Sequence, residues 1–230
     1  MHAHWLLVTV FVGALGMGCG DARGFGEGPG GASGAGGGGG ADAGGGGGGG
    51  GSGGSGGTVT SALSQAEIDG LLFTREEEKL ARDVYAALDG YGNPFVNIQN
   101  SEQSHMDAIL ALLSAYGLPD PAAGKAAGAF TNADLQALHD ALVAQGSPSA
   151  NAALQVGCAI EELDIRDIVL AKDAVTHADI LATYDTLLFG SRNHLRAFYG
   201  KLTKQGGSYA PVYVDQATFD AIVGSPMEKP

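Results

Sequence analysis

Between Ser64 and the C-terminus, apolar residues recur at alternating spacings of three and four, which is the period of an amphipathic α-helix. No stretch longer than a few residues shows the two-residue alternation of a β-strand. The pattern predicts four long helices, over residues 65–88, 94–116, 148–173 and 177–204. Shorter helices are expected at residues 132–144 and directly after Asp215.

Local sequence signals place the ends of these helices. Ser64, followed three residues later by Glu67, has the spacing of a capping box. The N-caps of the three following long helices are predicted at Asn93, Ser147 and Thr176. A long connection separates the second and third long helices, so the fold class expected is all-α, a four-helix bundle with a crossover.

Each long helix carries polar residues in the middle of its apolar stripe. On the second helix, Glu102 and His105 interrupt a stripe that runs from Phe95 to Tyr116. The interruptions on the other three helices are Glu78, the pair Glu161 and Asp164, and the pair Ser191 and His194. These residues can fall in one layer of a bundle, which would place four carboxylates and two imidazoles in its core.

Such a polar layer has a physical cost that metal ions would remove. Burying one unpaired ion costs several kcal/mol, and carboxylates that lie close together raise that cost. The stripes offer few basic residues as partners. Four carboxylates and two imidazoles form a mixed oxygen and nitrogen donor set that suits iron or manganese. We therefore expect two iron ions in the core, with manganese as the alternative occupant.

The segment from Glu78 to Tyr85, EKLARDVY, resembles the first helix of rubrerythrins in the ferritin-like superfamily, and residues 102–105 supply a Glu-x-x-His motif. More closely, the segments EEEKLARDVY, SEQSHM, AIEELDI and GSRNHLRAF together resemble the bacterial and archaeal family called domain of unknown function 2202. The resemblance covers residues 63–223. It implies a ferritin-like bundle with a di-iron carboxylate site.

One residue departs from the superfamily pattern. Ser191 stands where the pattern has the glutamate of a second Glu-x-x-His motif, so the ligand count is complete only if Asp164 binds metal. We therefore expect an asymmetric site with one open coordination position, where oxygen or peroxide would bind.

Several assignments stay open at the level of sequence. Glu77 is the alternative to Glu78, and Glu162 is the alternative to Glu161. Glu77 also belongs, with Glu76, to a run that can form a solvated face. Tyr85 is either a core residue or a hydrogen-bond donor or redox partner near the metal ligands.

Composition separates the chain into segments. Glycine supplies 23 of the 34 residues at 24–57, so residues 20–57 are expected to form a disordered linker before a helical domain at 58–230. That domain has 11 basic and 22 acidic residues. Its negative charge disfavours nucleic acid and anionic lipid surfaces as partners.

The N-terminus has the pattern of an export signal. An apolar run at Trp5–Leu15 is followed by small residues and Cys19, which resembles a bacterial lipoprotein signal over residues 1–19. Cys19 would then carry the lipid, and the anchor would be the only membrane contact, in the periplasm or on the cell surface. An ordinary secretory signal is the alternative.

The function expected is that of a metal-binding domain. If the protein is an enzyme, it is a di-iron oxidoreductase that acts on a small oxidant or on ferrous iron. No rubredoxin-like Cys-x-x-Cys motif is present, so turnover would need an unknown external electron donor. The alternatives are a metal-binding module without turnover and a metal-free helical module for protein partners.

Overall fold

The computed structural model describes residues 62–229, which form six α-helices and no β-strand. The helices are α1 (Gln65–Ala87), α2 (Phe95–Ala115), α3 (Ala133–Gly146), α4 (Ala150–Lys172), α5 (Ala178–Lys204) and α6 (Gln216–Val223). The first five begin and end within two residues of the predicted positions, and α6 begins directly after Asp215, which confirms the all-helical prediction. The export signal, Cys19 and the glycine-rich linker lie outside the described residues.

The helices pack around one continuous apolar core. Helix α1 packs along α2, and α4 packs along α5, while α1 also contacts α3 and α4. Helices α2 and α5 approach each other over a smaller area, and α6 packs on α5. No helix within residues 62–229 is long and apolar enough to cross a membrane.

One of the predicted helix caps is confirmed. The Ser64 hydroxyl accepts a hydrogen bond from the Glu67 amide at 3.2 Å, and the Ser64 amide donates to the Glu67 carboxylate at 2.8 Å. These two bonds satisfy amide groups that the first turn of a helix leaves without partners.

The other three predicted caps are wrong, and two of those residues, Ser147 and Thr176, bind other partners. Pro94 precedes α2 without a capping side chain, and Ser149 caps α4. The Ser147 hydroxyl instead donates to the carbonyl of Val143 at the end of α3. Thr176 donates to Glu67, and the residue before α5 is His177.

Helix α1 is buried on several sides, which corrects the interpretation of Glu76 and Glu77 as a solvated face. Glu76 and Glu77 are 4% and 2% exposed. The segment between α2 and α3 covers this side of α1, and Glu76 accepts a hydrogen bond from the Asn132 amide at 3.0 Å. Lys79 is also buried and donates to Asp83 and to the carbonyl of Ala126. Glu76 and Lys79 therefore hold the segment between α2 and α3 against α1 through hydrogen bonds.

Candidate metal centre

Glu102 of α2 is in contact with two histidines from different helices. Its Oε2 atom lies 2.8 Å from Nδ1 of His105, one turn further along α2. Its Oε1 atom lies 2.8 Å from Nδ1 of His194 on α5. The two imidazole rings stack with their centroids 5.6 Å apart. One carboxylate therefore links the two histidines.

Two further glutamates complete two groups that could hold metal ions. Glu78 of α1 joins Glu102 and His105, and its Oε2 lies 3.1 Å from Nδ1 of His105. Glu161 of α4 joins Glu102 and His194, and its Oε2 lies 3.5 Å from Nδ1 of His194. Within each group the ligand atoms all lie within 4.8 Å of one another. Glu102 belongs to both groups, so four helices contribute to one centre.

The second group contains three buried polar atoms without hydrogen-bond partners: Glu102 Oε1, Glu161 Oε2 and His194 Nδ1. His194 Nδ1 and Glu102 Oε1 are close enough to bond, but their contact lacks hydrogen-bond geometry. Buried polar atoms are almost always paired, and leaving one unpaired costs about 1–3 kcal/mol. The three atoms surround a common point, which a metal ion could occupy.

Burial and the two histidines shift the pKa values of the carboxylates of the centre. Burial raises the pKa of Glu78 to about 7, although His105 opposes the change. Burial likewise raises the pKa of Glu161 to about 7 against the effect of His194. Burial would also raise the pKa of Glu102, but its two histidines outweigh burial and hold that pKa below its usual range.

The pKa values of the two imidazoles are raised, although burial alone would lower them. Burial lowers the pKa of His105, but Glu78 and Glu102 outweigh it and raise the pKa to about 11. Glu102 and Glu161 raise the pKa of His194 to about 10 in the same way, again against burial. Without metal, both rings are therefore protonated at neutral pH. A metal ion that binds Nδ1 has to displace a proton.

The donor set is suited to iron or manganese. The two groups offer carboxylate oxygens and imidazole nitrogens and no thiolate. A structural zinc site would normally use cysteines, whereas iron and manganese accept mixed oxygen and imidazole ligands. The residues present therefore fit the two-metal expectation.

Tyr85 fixes one oxygen of Glu161. Its hydroxyl donates to Glu161 Oε1 at 2.6 Å. The tyrosine ring is fully buried and packs against Phe198 and Phe95, at centroid distances of 5.0 and 6.0 Å. Burial and the charge of Glu161 raise the pKa of Tyr85 well above its usual range, so the hydroxyl keeps its proton. Tyr85 is both a core residue and a hydrogen-bond donor to the centre.

Two predicted site residues lie outside the two groups. Asp164 is buried, belongs to neither group and has no hydrogen-bond partner at either carboxylate oxygen. The Ser191 hydroxyl donates to the carbonyl of Leu187 at 3.1 Å within α5. The structure thus brings together five of the six predicted ligands, Glu78, Glu102, His105, Glu161 and His194.

The two alternative ligands have other surroundings. Glu162 Oε2 accepts hydrogen bonds from the amides of Val212 and Tyr213, each at 2.8 Å. These two hydrogen bonds therefore hold the segment between α5 and α6 against α4. Glu77 is buried beside Asp167 of α4. Neither Glu77 nor Glu162 is part of the two groups.

Two residues near the centre were not predicted. The Ser101 hydroxyl lies 3.0 Å from Nε2 of His194, on the side of the ring opposite Glu102. At Gly190 of α5, an added Cβ atom would lie 2.5 Å from Nε2 of His105. A glycine in the middle of a long helix was the available signal for this close approach.

These observations define an all-helical protein in which buried glutamates and histidines form a candidate metal centre. The family described as "Uncharacterized protein domain (DUF2202)" matches residues 67–226, and the chain belongs to that family. The chain is 41% identical over 169 residues to "Uncharacterized protein MJ0754" of Methanocaldococcus jannaschii, which covers 73% of this chain and 91% of the relative.

A solved structure has a similar fold. It is described as the crystal structure of hypothetical protein MJ0754 from Methanococcus jannaschii. The match has a TM-score of 0.71 at 40% identity and covers 75% of this chain and 99% of that chain. The helical domain of this chain therefore corresponds to nearly the whole of that structure.

Proposed function

We propose that the protein is a ferritin-like domain in which α1, α2, α4 and α5 form a four-helix bundle around two iron ions, with manganese as the alternative occupant. The observation that carries the proposal is that buried atoms of Glu102, Glu161 and His194 lie close together without hydrogen-bond geometry. A protein that bound no metal would gain stability by turning such atoms toward hydrogen-bond partners.

The ligand assignment follows from the two groups of residues. Glu78 and His105 would hold one ion, Glu161 and His194 would hold the other, and Glu102 would bind both through its two oxygens. Each ion then has three protein ligand atoms, which leaves coordination positions for a small molecule. Paired iron ions would supply electron exchange with peroxide or oxygen, or with ferrous iron.

The surrounding residues would support that chemistry without taking part in electron transfer. The Tyr85 hydroxyl orients Glu161 and holds a proton 2.6 Å from its Oε1 atom. Ser191, in place of a glutamate, adds no negative charge and directs its hydroxyl to a backbone carbonyl. Because each group has one further glutamate and one histidine besides Glu102, open coordination positions would exist at both ions.

The burial of the centre favours a small substrate. Glu78, Glu102 and Glu161 are 1%, 1% and 0% exposed, whereas His105 and His194 are 7% and 9% exposed. A small molecule would therefore reach the centre at the imidazoles, its more exposed side chains. A peroxide, dioxygen or a single metal ion is compatible with such access, and a macromolecule is not.

We also propose that the protein is exported and anchored by a lipid on Cys19. The apolar run at Trp5–Leu15 and the cysteine that follows it support this location. Mass spectrometry of membrane fractions from a bacterial host tests it. A diacylglyceryl-modified Cys19 at the mature N-terminus is expected, and cleavage at another residue would contradict the lipid anchor.

The experiment that tests the proposed function combines metal analysis with a reaction. The protein is purified without oxygen, loaded with Fe²⁺ and freed of loosely bound metal by gel filtration. We expect about two irons per chain, as in other di-iron carboxylate bundles. Addition of peroxide should then change the visible absorption spectrum.

Variants separate the alternatives. His105→Ala should lose iron, whereas His139→Ala, which removes a histidine of α3 outside both groups, should keep it. Bound iron without a response to peroxide or oxygen would indicate a metal-binding module without turnover. No iron above background would overturn the proposed function and leave a metal-free helical module.

A further inference from the structure

The imidazole of His194 on α5 lies against two consecutive residues of α2. Its Nδ1 atom is 2.8 Å from Oε1 of Glu102, and its Nε2 atom is 3.0 Å from the hydroxyl oxygen of Ser101. The Nδ1 contact lacks hydrogen-bond geometry, whereas the Nε2 contact has it. The bond to the partly buried Ser101 is therefore the one that fixes this ring.

The contact with Ser101 distinguishes the two possible orientations of the His194 ring. A half-turn about the Cβ–Cγ bond exchanges Nδ1 with Cδ2 and Nε2 with Cε1. The rotated ring would place carbon atoms opposite both the hydroxyl and the Glu102 carboxylate, and the hydrogen bond to Ser101 would be lost. The hydroxyl therefore favours the orientation in which Nδ1 faces the carboxylates of the centre.

The same bond determines which ring nitrogen is free to bind a metal ion. A neutral imidazole carries one proton, and the nitrogen without it has the lone pair. When Nε2 of His194 donates its proton to Ser101, the lone pair is on Nδ1, which lies 3.5 Å from Oε2 of Glu161. Histidines that bind metal almost always donate their other N–H group to such an acceptor.

His105 is held in a different way. Its Nε2 atom faces α5 at Gly190, where an added Cβ atom would lie 2.5 Å away. Packing against α5 therefore limits the movement of the His105 ring. The His194 ring stacks on it at a centroid distance of 5.6 Å. One histidine of the centre thus depends on packing and the other on a hydrogen bond from α2.

Building on the paired metal site proposed above, we propose that Ser101 is a positioning residue for the ion at His194. Its hydroxyl accepts the Nε2 proton and holds Nδ1 toward Glu102 and Glu161, without contacting the metal itself. The ion at His105 does not depend on it. Removing an acceptor of this kind typically weakens metal binding by about 10–100-fold.

The test uses the whole protein with Fe²⁺ added without oxygen as the probe. Ser101→Ala should weaken the binding of one ion by about 10–100-fold and leave the other unchanged. Ser101→Thr keeps a hydroxyl and should restore the binding of both ions. The matched control is Ser104→Ala on the same helix, because the exposed Ser104 hydroxyl donates to the carbonyl of Asn100 and has no contact with the centre.

Two further measurements show that the effect is one of position. Anomalous diffraction at the iron edge should find the peak at His194 weakened in Ser101→Ala and the peak at His105 retained. In the metal-free protein, ¹⁵N NMR should find that the Nε2 proton of His194 exchanges with solvent faster in Ser101→Ala than in Ser101→Thr.

Several results would overturn the role of Ser101 and leave the paired site intact. They are unchanged iron binding in Ser101→Ala, equal weakening of both ions, a loss in Ser101→Thr as large as in Ser101→Ala, and equal exchange rates of the His194 proton. No iron at either histidine of the unmodified protein would overturn the paired site and the role of Ser101 together.

Discussion

An added methyl group on Gly190 would lie 2.5 Å from Nε2 and 2.6 Å from Cε1 of His105. Such distances are far shorter than van der Waals contact between uncharged groups. Helix α5 can therefore pass His105 only because residue 190 has no side chain. The close approach holds one edge of the imidazole against α5 and turns Nδ1 toward Glu78 and Glu102.

Replacing Gly190 with alanine should displace the His105 ring and weaken metal binding at least tenfold. Overpacking of this kind also lowers the free energy of unfolding by about 1–3 kcal/mol. Gly200→Ala, on the same helix, is the matched control, because its added Cβ would meet no atom within 4 Å. Isothermal titration with metal and chemical denaturation measure both effects.

A double-mutant cycle isolates the contact between the two residues. In a His105→Ala background, Gly190→Ala should lose its destabilising effect, since the ring with which it collides is gone. Equal effects of Gly190→Ala with and without His105 would show that the contact does not position the histidine.

Removing the Tyr85 hydroxyl should lower the stability of the metal-free protein. Tyr85→Phe leaves Glu161 Oε1 buried without its donor, which should cost about 1–2 kcal/mol in the free energy of unfolding. Tyr184 is a suitable control, because its buried hydroxyl has no hydrogen-bond partner of normal geometry. Urea denaturation should find Tyr184→Phe close to neutral, and equal losses in the two variants would contradict the role given to Tyr85.

The buried carboxylate of Glu67 should make the fold sensitive to acid. Its Oε1 atom accepts hydrogen bonds from the amides of Thr176 and His177 at 2.8 and 3.2 Å, and it lies 2.7 Å from Nδ1 of His177. Although burial raises the pKa of Glu67, His177 and the amides of Thr176 and Ser64 lower it below its usual range. The folded protein therefore takes up this proton at a lower pH than the unfolded chain does.

A carboxylate with a lowered pKa contributes stability above the pKa of the unfolded chain, about 4.3, and loses that contribution as the pH falls further. Glu67→Gln should therefore destabilise the protein at pH 7 and show a shallower loss of stability below about pH 4.3. Asp69→Asn, which changes a carboxylate bonded to Gln65 on the same helix, should behave like the unmodified protein. Parallel acid-unfolding curves for all three proteins would refute this assignment.

Metal binding should release protons and become tighter as the pH rises. The pKa values of His105 and His194, about 11 and about 10, mean that both rings carry a proton at neutral pH when no metal is bound. The metal needs the unprotonated Nδ1 atoms, so lowering the pH favours the competing proton. Titrations in buffers of different ionisation enthalpy measure the release, and an affinity that is constant from pH 6 to pH 8 would contradict it.

Helical periodicity predicted the inward-facing residues of the centre well. The spacing on α2 placed Glu102 and His105 on one face, and the stripes on α4 and α5 favoured Glu161 over Glu162 and included His194. A regular helix fixes which side chains share a face, and that relationship is local in sequence.

The features that the sequence did not predict depend on segments distant in the chain. A solvated face was one interpretation of Glu76 and Glu77, because periodicity assumes one buried face per helix. The segment before α3 covers Glu76, and Glu77 is buried beside Asp167 of α4. Glu162 is buried because the segment that contains residues 212 and 213 packs against α4 and donates two hydrogen bonds to its carboxylate. The contact between Gly190 and His105 depends on the distance between α2 and α5, which no local pattern contains.

The most direct test of the paired metal site is anomalous diffraction at the iron edge, from crystals of protein loaded with Fe²⁺ without oxygen. We predict two strong peaks about 3.5–4 Å apart, a typical separation for two-metal sites, on either side of the Glu102 carboxylate. One peak should be bonded to His105 and the other to His194. A map without peaks at these histidines, in crystals soaked at saturating iron, would contradict the account.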